Sequence, residues 1–369
     1  MRIALIHGND GSDVRVGKTC RSLARLGFDT HFIGWDRRPG AEKEIDLGGA
    51  TAHVTKMDTD RGRATTAGYS SFLKHVVRWL HRLRPNIVCA VNEELAFAVL
   101  PFRGWLYQRL VCDIFDSLSA RSGGRPWLVR KALSVAQYFA LLGADRLIAT
   151  DEHRMCLLGR FVDKTVVIEN VPEDPGEELA CRIPSGPVTI WVGGSLEEIR
   201  GLRQLIEAIE PLEDVRIVSA GWPFDAYSSE VFLKHPRVDY RGVVTARQAL
   251  ELAASCDAVF CYYAPVNYYM VNASPNKVHD ALSVGRPVVI NREVRLSEWV
   301  ADQQMGYVCN YEDIGCLREA IGALGQGRQG LADFAARSRR LFMARHHWGQ
   351  MEQRLSELYT SLSRQDTHA

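Results

Sequence analysis

Asn272-Ala273-Ser274-Pro275-Asn276-Lys277, with Asp280 three residues on, brings a polar loop, a lysine and a carboxylate to the start of a short helical stretch. Gly285 ends that stretch, and Pro287-Val-Val-Ile290 reads as a fully buried strand. The free N–H groups and the positive dipole end of such a helix form an anion site, and Lys277 adds a full charge to it. The ligand this arrangement suits is a diphosphate. A second set of residues points the same way: Gly193-Gly194-Ser195 directly follows an apolar run, and Arg200 lies five residues further on. Glycines let backbone N–H groups approach a phosphate closely, and a neighbouring cation would hold its charge.

The elements that must position these residues alternate. In the first half, strands are expected at 2–7, 30–35, 86–91, 110–115, 146–150 and 165–169, with helices at 14–26, 70–83 and 127–142 between them. A Pro-, Gly- and Glu-rich stretch at 172–187 suits a linker. The alternation then restarts. Strands are expected at 188–192, 215–220, 238–240, 258–262 and 288–291, with a tight loop at 193–195, a helix at 199–209 and a final helix over 337–362. This order predicts two parallel sheets, each with helices on both faces. Open sheets of this kind place their ligand crevices at the carboxyl ends of the strands, and if the two sets of ends face each other one cleft lies between the domains. Asp10, Gly11 and Asp13 sit in the loop after the first strand, Asp113 and Asp116 end the strand over 110–115, and Arg154 follows the strand over 146–150. Gly221-Trp222 and Gly242-Val243 follow two strands of the second half.

Bulk properties narrow the classes of function. The 369 residues are enough for two ordinary domains, and 46% hydrophobic with 24% charged content fits a globular chain. A net charge of +1 gives no global field for nucleic acid. The nine cysteines contain no Cys-x-x-Cys pair and read as buried reduced thiols. Residues 1–7 turn polar too quickly for a signal peptide, and no apolar run reaches the roughly 18 residues of a membrane span. A cytoplasmic protein is expected, with the inner face of the membrane as a place of contact. Asp58-Thr59-Asp60 has the form of an Asp-x-Asp metal motif but lies in a polar stretch that reads as a solvated loop.

Several segments in order resemble a known family. Asp13-Val-Arg15-Val-Gly-Lys18 with Ile33-Gly34-Trp35-Asp36-Arg37, Gly143-Ala-Asp145 through Thr150, Val166 to Asn170, Val192-Gly193-Gly194-Ser195 through Arg200-Gly201-Leu202, Ser274-Pro-Asn-Lys277 through Gly285-Arg-Pro-Val288, and the terminal Trp348 and Tyr359 are together similar to GT-B glycosyltransferases of the large family 4 type. The resemblance implies two doubly wound Rossmann-like domains facing across a cleft. Residues 1–172, with a returning C-terminal helix at 345–365, would form the acceptor-side domain, and 173–344 the nucleotide-sugar domain. It implies transfer of a sugar, with retention, from a UDP, GDP or dTDP donor to a glycan, a lipid-linked acceptor or a small molecule. It implies no metal and no cofactor beyond that co-substrate.

Carried onto this chain, the resemblance gives Arg200 and Lys277 the leaving diphosphate, and Asp280 the ribose hydroxyls. Gly193, Gly194, Gly221, Trp222, Val243, Ala273, Ser274 and Asn276 would line the donor. Asn272 stands where the family often has its first glutamate; it can hydrogen-bond a sugar hydroxyl but carries no charge. Asp116 would be the acceptor-side carboxylate, with Asp10, Gly11, Asp13, Asp113 and Arg154 nearby. Each position has a plain structural alternative: a tight turn for the glycines, a helix surface for Arg200, Lys277 and Asp280, a cap or loop for Asp116.

Lys74, His75, Arg78, His81, Arg82 and Arg84 alternate with Phe72, Val76, Val77, Trp79 and Leu80, and Arg121, Arg125, Arg130 and Lys131 flank Trp127 and Leu128. Such basic amphipathic surfaces dock on anionic lipid, and a solvated helix face over a core is the equal alternative. Rival functions are a sugar-nucleotide epimerase on the same fold and a sugar-nucleotide-binding subunit without catalysis. An oxidoreductase is disfavoured, because Gly193-Gly194-Ser195 lacks the Gly-x-Gly-x-x-Gly spacing.

Overall fold

The computed structural model describes residues 1–37, 45–57, 66–122, 124–180 and 182–364. The chain divides into two compact units, one of residues 1–169 and 351–369, the other of residues 170–350. The expected boundary at 172/173 thus falls at 169/170, and the chain returns to the first unit at Met351 rather than at 345.

The first unit is a seven-stranded, all-parallel sheet in the order β3-β2-β1-β4-β5-β6-β7. Its strands are β1 (Arg2–Ile6), β2 (Asp29–Asp36), β3 (Thr51–Lys56), β4 (Ile87–Val91), β5 (Arg109–Ile114), β6 (Arg146–Ala149) and β7 (Thr165–Val167). The helices that matter below are α1 (Val14–Arg25), α2 (Thr66–Leu83), α3 (Glu93–Val99) and α4 (Trp127–Gly143). Strand β3 carries Thr, Ala, His and Lys on an edge and shows little apolar pattern, so it escapes a reading by hydrophobicity. The apolar face of α2 is core: Phe72, Val76 and Leu80 are fully buried with Ile33, Trp35 and Val88. Phe72, Val76 and Leu80 of α2 are therefore core, while Leu73, Val77 and Trp79 are half-buried beside its charged side.

The second unit is a six-stranded parallel sheet in the order β10-β9-β8-β11-β12-β13. Its strands are β8 (Val188–Leu196), β9 (Val215–Pro223), β10 (Val238–Tyr240), β11 (Ala258–Cys261), β12 (Val288–Asn291) and β13 (Gly306–Cys309). Its helices include α5 (Leu202–Ile209), α6 (Asn276–Ser283), α7 (Ile314–Gln326) and α8 (Leu331–Arg345). Alternation along β11 divides two cores: Ala258, Phe260 and Tyr262 pack on α5 and α7, while Val259 and Cys261 pack on α6 and α8. The single terminal helix expected over 337–362 is two, α8 and α9 (Trp348–Arg364), broken at His346-His347. Beyond the break, Leu355, Leu358, Tyr359 and Leu362 are buried, Tyr359 lying beside Phe28 of the first unit.

Three further expectations change. The stretch 172–187 is no free linker: Leu179 and Ala180 are buried, Asp174 pairs with Arg339, and Arg247 donates to Pro175 O. Proline and glycine there shape a packed segment. Cys309 and Cys316 form a disulfide, because the turn from β13 into α7 brings their Cα atoms to 5.7 Å; Cys20, Cys89, Cys112, Cys256 and Cys261 are free and buried. Gly193 and Gly194 belong to β8 itself, paired with Ala220 and Gly221 of β9, not to a tight loop.

One ion pair ties α1 of the first unit to its sheet. Arg15 Nη2 lies 2.9 Å from Asp113 Oδ1, both side chains being almost fully buried, and Arg15 Nη1 donates to Ile168 O at 2.6 Å. A buried pair broken on one side leaves an uncompensated charge. Asp113→Asn is expected to lower unfolding free energy by about 3 kcal/mol, read by denaturant titration. A loss well under 1 kcal/mol would show that the pair is not what holds α1 to the sheet.

Candidate functional site

The second unit gathers the anion-site residues at the carboxyl ends of its strands. Gly194 has φ +89° and Gly221 φ +134°, and a methyl group on Gly221 would meet Gly194 O at 1.8 Å. Only glycine at 221 lets β8 and β9 run so close to their ends. Gly221 N donates to Gly242 O at 2.9 Å, and Tyr240 Oη donates to Gly221 O at 2.6 Å. This fixes the Gly221-Trp222 and Gly242-Val243 segments side by side, with the side chains of Trp222 and Val243 exposed.

Helix α6 begins beside this edge. A methyl group on Gly194 would lie 3.8 Å from Lys277 Cε, so the lysine stem crosses over the glycine backbone. Arg200 enters from the turn after β8; its guanidinium lies over the Tyr263 ring at 4.1 Å. Tyr263 is held in turn by Asn291, whose side chain accepts from Tyr263 N at 2.8 Å and donates to Tyr263 O at 3.0 Å. Among the described residues, neither Lys277 nor Arg200 forms an ion pair, and Arg200 Nε is buried without a hydrogen-bond partner. Burial, then the nearby Arg200, pulls the Lys277 ammonium below the ordinary lysine range. Burial pushes the neighbouring Cys261 thiol up to about 11, opposed by both cations, so all three groups lie in one electrostatic neighbourhood. Arg200 lowers and Asp280 and Glu197 raise the Lys277 proton affinity, and a bound anion would relieve the two neighbouring cations further.

The other donor-side positions are more mixed. Asn272 Nδ2 donates to Tyr268 O at 2.9 Å, and Ala273 N to Met270 O at 3.3 Å, so part of this loop's polar capacity closes the short helix Tyr268–Val271. Asn276 is exposed, and Ser274 and Asp280 are half-buried. Asp280 lies one helical turn from Lys277 and raises its affinity for a proton.

In the first unit the expected residues separate into structural and accessible ones. Asp13 caps α1, accepting from Arg15 N at 2.9 Å and Val16 N at 3.1 Å. Asp10 is buried and accepts from Ser12 N and Ser12 Oγ, across the turn made by Gly11 at φ +98°. Asp113 faces Arg15 in the interior, 2% exposed, so its place at the end of β5 does not present it to a ligand. Asp116 is accessible. Its N–H donates to Asn92 Oδ1 at 3.1 Å, and Arg154 Nη1 lies 3.5 Å from its Oδ1. Arg154 also donates to Phe115 O at 2.6 Å and contacts Asp151 at 3.4 Å, so it braces Asp116 within its own unit.

Hydrophobic patterning missed Asn92 and Glu93, although both directly follow the apolar run of β4. Asn92, at φ 66°, binds the N–H groups of Phe115 and Asp116 and thereby shapes the end of β5. Glu93 is fully buried, accepting from Gln137 Nε2 at 2.9 Å and Leu118 N at 3.2 Å, and among the described residues it forms no ion pair. Polar residues at the end of a parallel strand are the signal that would have found them. Asp58-Thr59-Asp60 lies outside the described residues. Among those described, no group of three or more His, Cys, Asp or Glu is arranged to hold a metal ion.

Comparison with known proteins matches both units. The family described as "Glycosyl transferase 4-like domain" matches residues 10–171, and that described as "Glycosyl transferases group 1" matches residues 186–326. Sucrose-phosphate synthase from Thermosynechococcus elongatus superposes with a TM-score of 0.77 at 13% identity, covering 99% of each chain. Anabaena HepE, in complex with UDP and glucose, superposes at 0.72 and 14% identity, covering 98% of this chain and 100% of that one. The lipopolysaccharide outer core galactosyltransferase WaaB does so at 0.66 and 11%, covering 98% and 99%. At these identities the likeness is one of fold. No curated protein sequence matches the chain.

Burial raises the Glu93 carboxyl from its ordinary 4.5 to about 7. Being raised, it contributes stability fully below pH 4.5, where both states are protonated, and that contribution is lost as pH rises through 7. Glu93→Gln, neutral throughout, should gain about 3 kcal/mol relative to the parent across that window. Melting temperatures of both proteins across the window test this; a difference that does not change with pH would show that Glu93 does not titrate there.

Proposed function

The chain belongs to the GT-B glycosyltransferases of the family 4 type, and from that premise we propose that it transfers a sugar, with retention, from a nucleoside-diphosphate donor to a hydroxyl of a glycan or lipid-linked acceptor. The observation that carries this is the pair of cations at the carboxyl ends of β8 and β11: Lys277 at the start of α6 beside Gly194, and Arg200 over the Tyr263 ring, in one electrostatic neighbourhood. The bond that breaks joins the anomeric carbon to a phosphate oxygen. The diphosphate departs with the electron pair, and the two cations and the N–H groups at the start of α6 receive the charge that develops. UDP is the favoured nucleotide, supported by the UDP and UDP-glucose complexes of Anabaena HepE. The exposed Trp222 and Val243 would flank the base, and Asp280 would take the ribose hydroxyls. No metal is required on this reading, because the cations are supplied by side chains. The acceptor hydroxyl would lose its proton toward Asp116, the accessible carboxylate at the end of β5.

Calorimetric titration with UDP, GDP and dTDP should show one nucleotide binding clearly tighter than the others. Lys277→Ala should lower kcat by about 10²–10³ with the far-ultraviolet circular dichroism unchanged. A Lys277→Ala protein that turns over near the native rate would defeat the assignment. Product analysis separates the rivals: a transferase forms a new glycoside, an epimerase returns an altered sugar nucleotide, and a binding subunit does neither. Asp116→Asn should reduce transfer while leaving donor affinity intact; unchanged transfer would exclude an acid–base role.

A further inference from the structure

The guanidinium of Arg200 is held by a ring. It lies over Tyr263 at 4.1 Å from the centroid, and its Nε is buried without a hydrogen-bond partner. A guanidinium stacked on an aromatic face keeps its N–H groups in its own plane, directed at whatever oxygen meets its edge. A carboxylate in the place of the ring would also hold the arginine, but it would occupy those donors and offset the charge. The ring therefore sets the direction in which Arg200 can bind, as long as the ring itself is fixed.

Tyr263 is fixed by groups behind it. Asn291, fully buried at the end of β12, accepts from Tyr263 N at 2.8 Å and donates to Tyr263 O at 3.0 Å. With both backbone groups of one residue pinned, the point at which its side chain leaves the chain is set. The Asn291 amide is oriented in turn by Glu293, whose Oε2 accepts from Asn291 Nδ2 at 2.8 Å. Glu293 also accepts from Tyr311 N, at 3.1 and 3.2 Å to its two oxygens. Burial would raise the Glu293 carboxyl, but hydrogen bonds from Asn291 and Tyr311 N hold it below its ordinary range, so it accepts as a carboxylate. The Cys309–Cys316 disulfide closes the loop that presents Tyr311 N. A further bond joins the two neighbours directly: Ala264 N donates to Ile199 O at 2.8 Å, tying the residue after Tyr263 to the residue before Arg200. The carboxyl ends of β11, β12 and β13 are thus linked in one polar chain that ends at the guanidinium. We propose that Tyr263 and Glu293 are positioning residues for the diphosphate: Tyr263 aims Arg200 through its ring face, and Glu293, through Asn291, holds that ring in place. This rests on Arg200 binding the diphosphate, and both residues act through it.

Tyr263 also belongs to the core that contains Met270 and Val278, so a merely structural role must be separated from a positioning one. A double-mutant cycle with Arg200 does this, because a residue that acts through Arg200 loses its effect once Arg200 is gone. Calorimetric titration gives the dissociation constant for whichever of UDP, GDP and dTDP the parent binds most tightly. Arg200→Ala should weaken binding by about tenfold or more. Tyr263→Leu should weaken it by about tenfold, and Tyr263→Phe, which keeps the ring, should restore most of that loss. Glu293→Ala should weaken it by about threefold, and as a half-buried position it keeps the test open if Tyr263→Leu does not fold. In an Arg200→Ala background, Tyr263→Leu and Glu293→Ala should each change binding by less than about twofold. Equal losses with and without Arg200 would assign both residues to the core alone and overturn the proposal. Tyr263→Phe as weak as Tyr263→Leu would overturn it too, since the ring face would not be what acts. If Arg200→Ala binds like the parent, or the parent binds none of the three nucleotides, the assignment of Arg200 itself falls and this inference falls with it.

Discussion

A parallel sheet covered by helices on both faces leaves polar groups free only where its strands end. Both sheets of this protein obey that constraint. β1, β4 and β5 are buried along almost their whole length, as are β11, β12 and the middle of β8. Chemistry is thereby confined to short segments: Gly8 to Asp13, Asn92-Glu93 and Asp116 in the first unit, Gly193-Gly194, Gly221-Trp222 and the start of α6 in the second. The same confinement forces any charge that falls inside to find a partner. Arg15 and Asp113 do so, and Glu93 instead becomes easier to protonate.

The two units resolve their charges in opposite ways. In the first, the carboxylates are paired or capped: Asp113 with Arg15, Asp116 with Arg154, Asp13 with the N–H groups of α1. In the second, Arg200 and Lys277 share a neighbourhood with no carboxylate bonded to either, and only the face of Tyr263 lies under the guanidinium. A like-charged pair held by the fold raises the energy of the empty site relative to the anion-bound one. That difference favours binding a dianion over a neutral ligand, and it favours most the state in which charge on the bound phosphate is greatest.

Composition and patterning disclosed the architecture well where strands are buried on both faces. The runs of β1, β4, β8 and β12 are continuous apolar stretches, and each was legible. Edge strand β3 and the half-exposed β13 were not, because their pattern is polar or broken. The donor-side residues were legible from the glycines and the lysine, since those types have few other uses at a strand end. Two things were hidden. Gly193-Gly194 reads as a turn in one dimension but is ladder in three, because the partner that permits it, Gly221, lies elsewhere in the chain. Asp113 and Asp116 look equivalent at the end of one strand, yet alternation sends the first inward to Arg15 and leaves the second outward.

The same limit explains α2 and α4. In sequence both are basic helices with apolar residues interleaved, and α2 has the denser set of cations. Periodicity fixes which side of each helix is apolar but not which side meets the sheet. In α2 the stripe of Phe72, Val76 and Leu80 turns inward, and the charges are what remains outside. In α4 Ala140 and Leu141 are buried, while Trp127, Leu128, Val135, Tyr138, Phe139 and Leu142 are exposed. A helix that buries so few of its large side chains removes little apolar surface from water, so α4 contributes less to the core than its composition suggests. A helix retained with its largest side chains in solvent has its stability supplied by the rest of the unit.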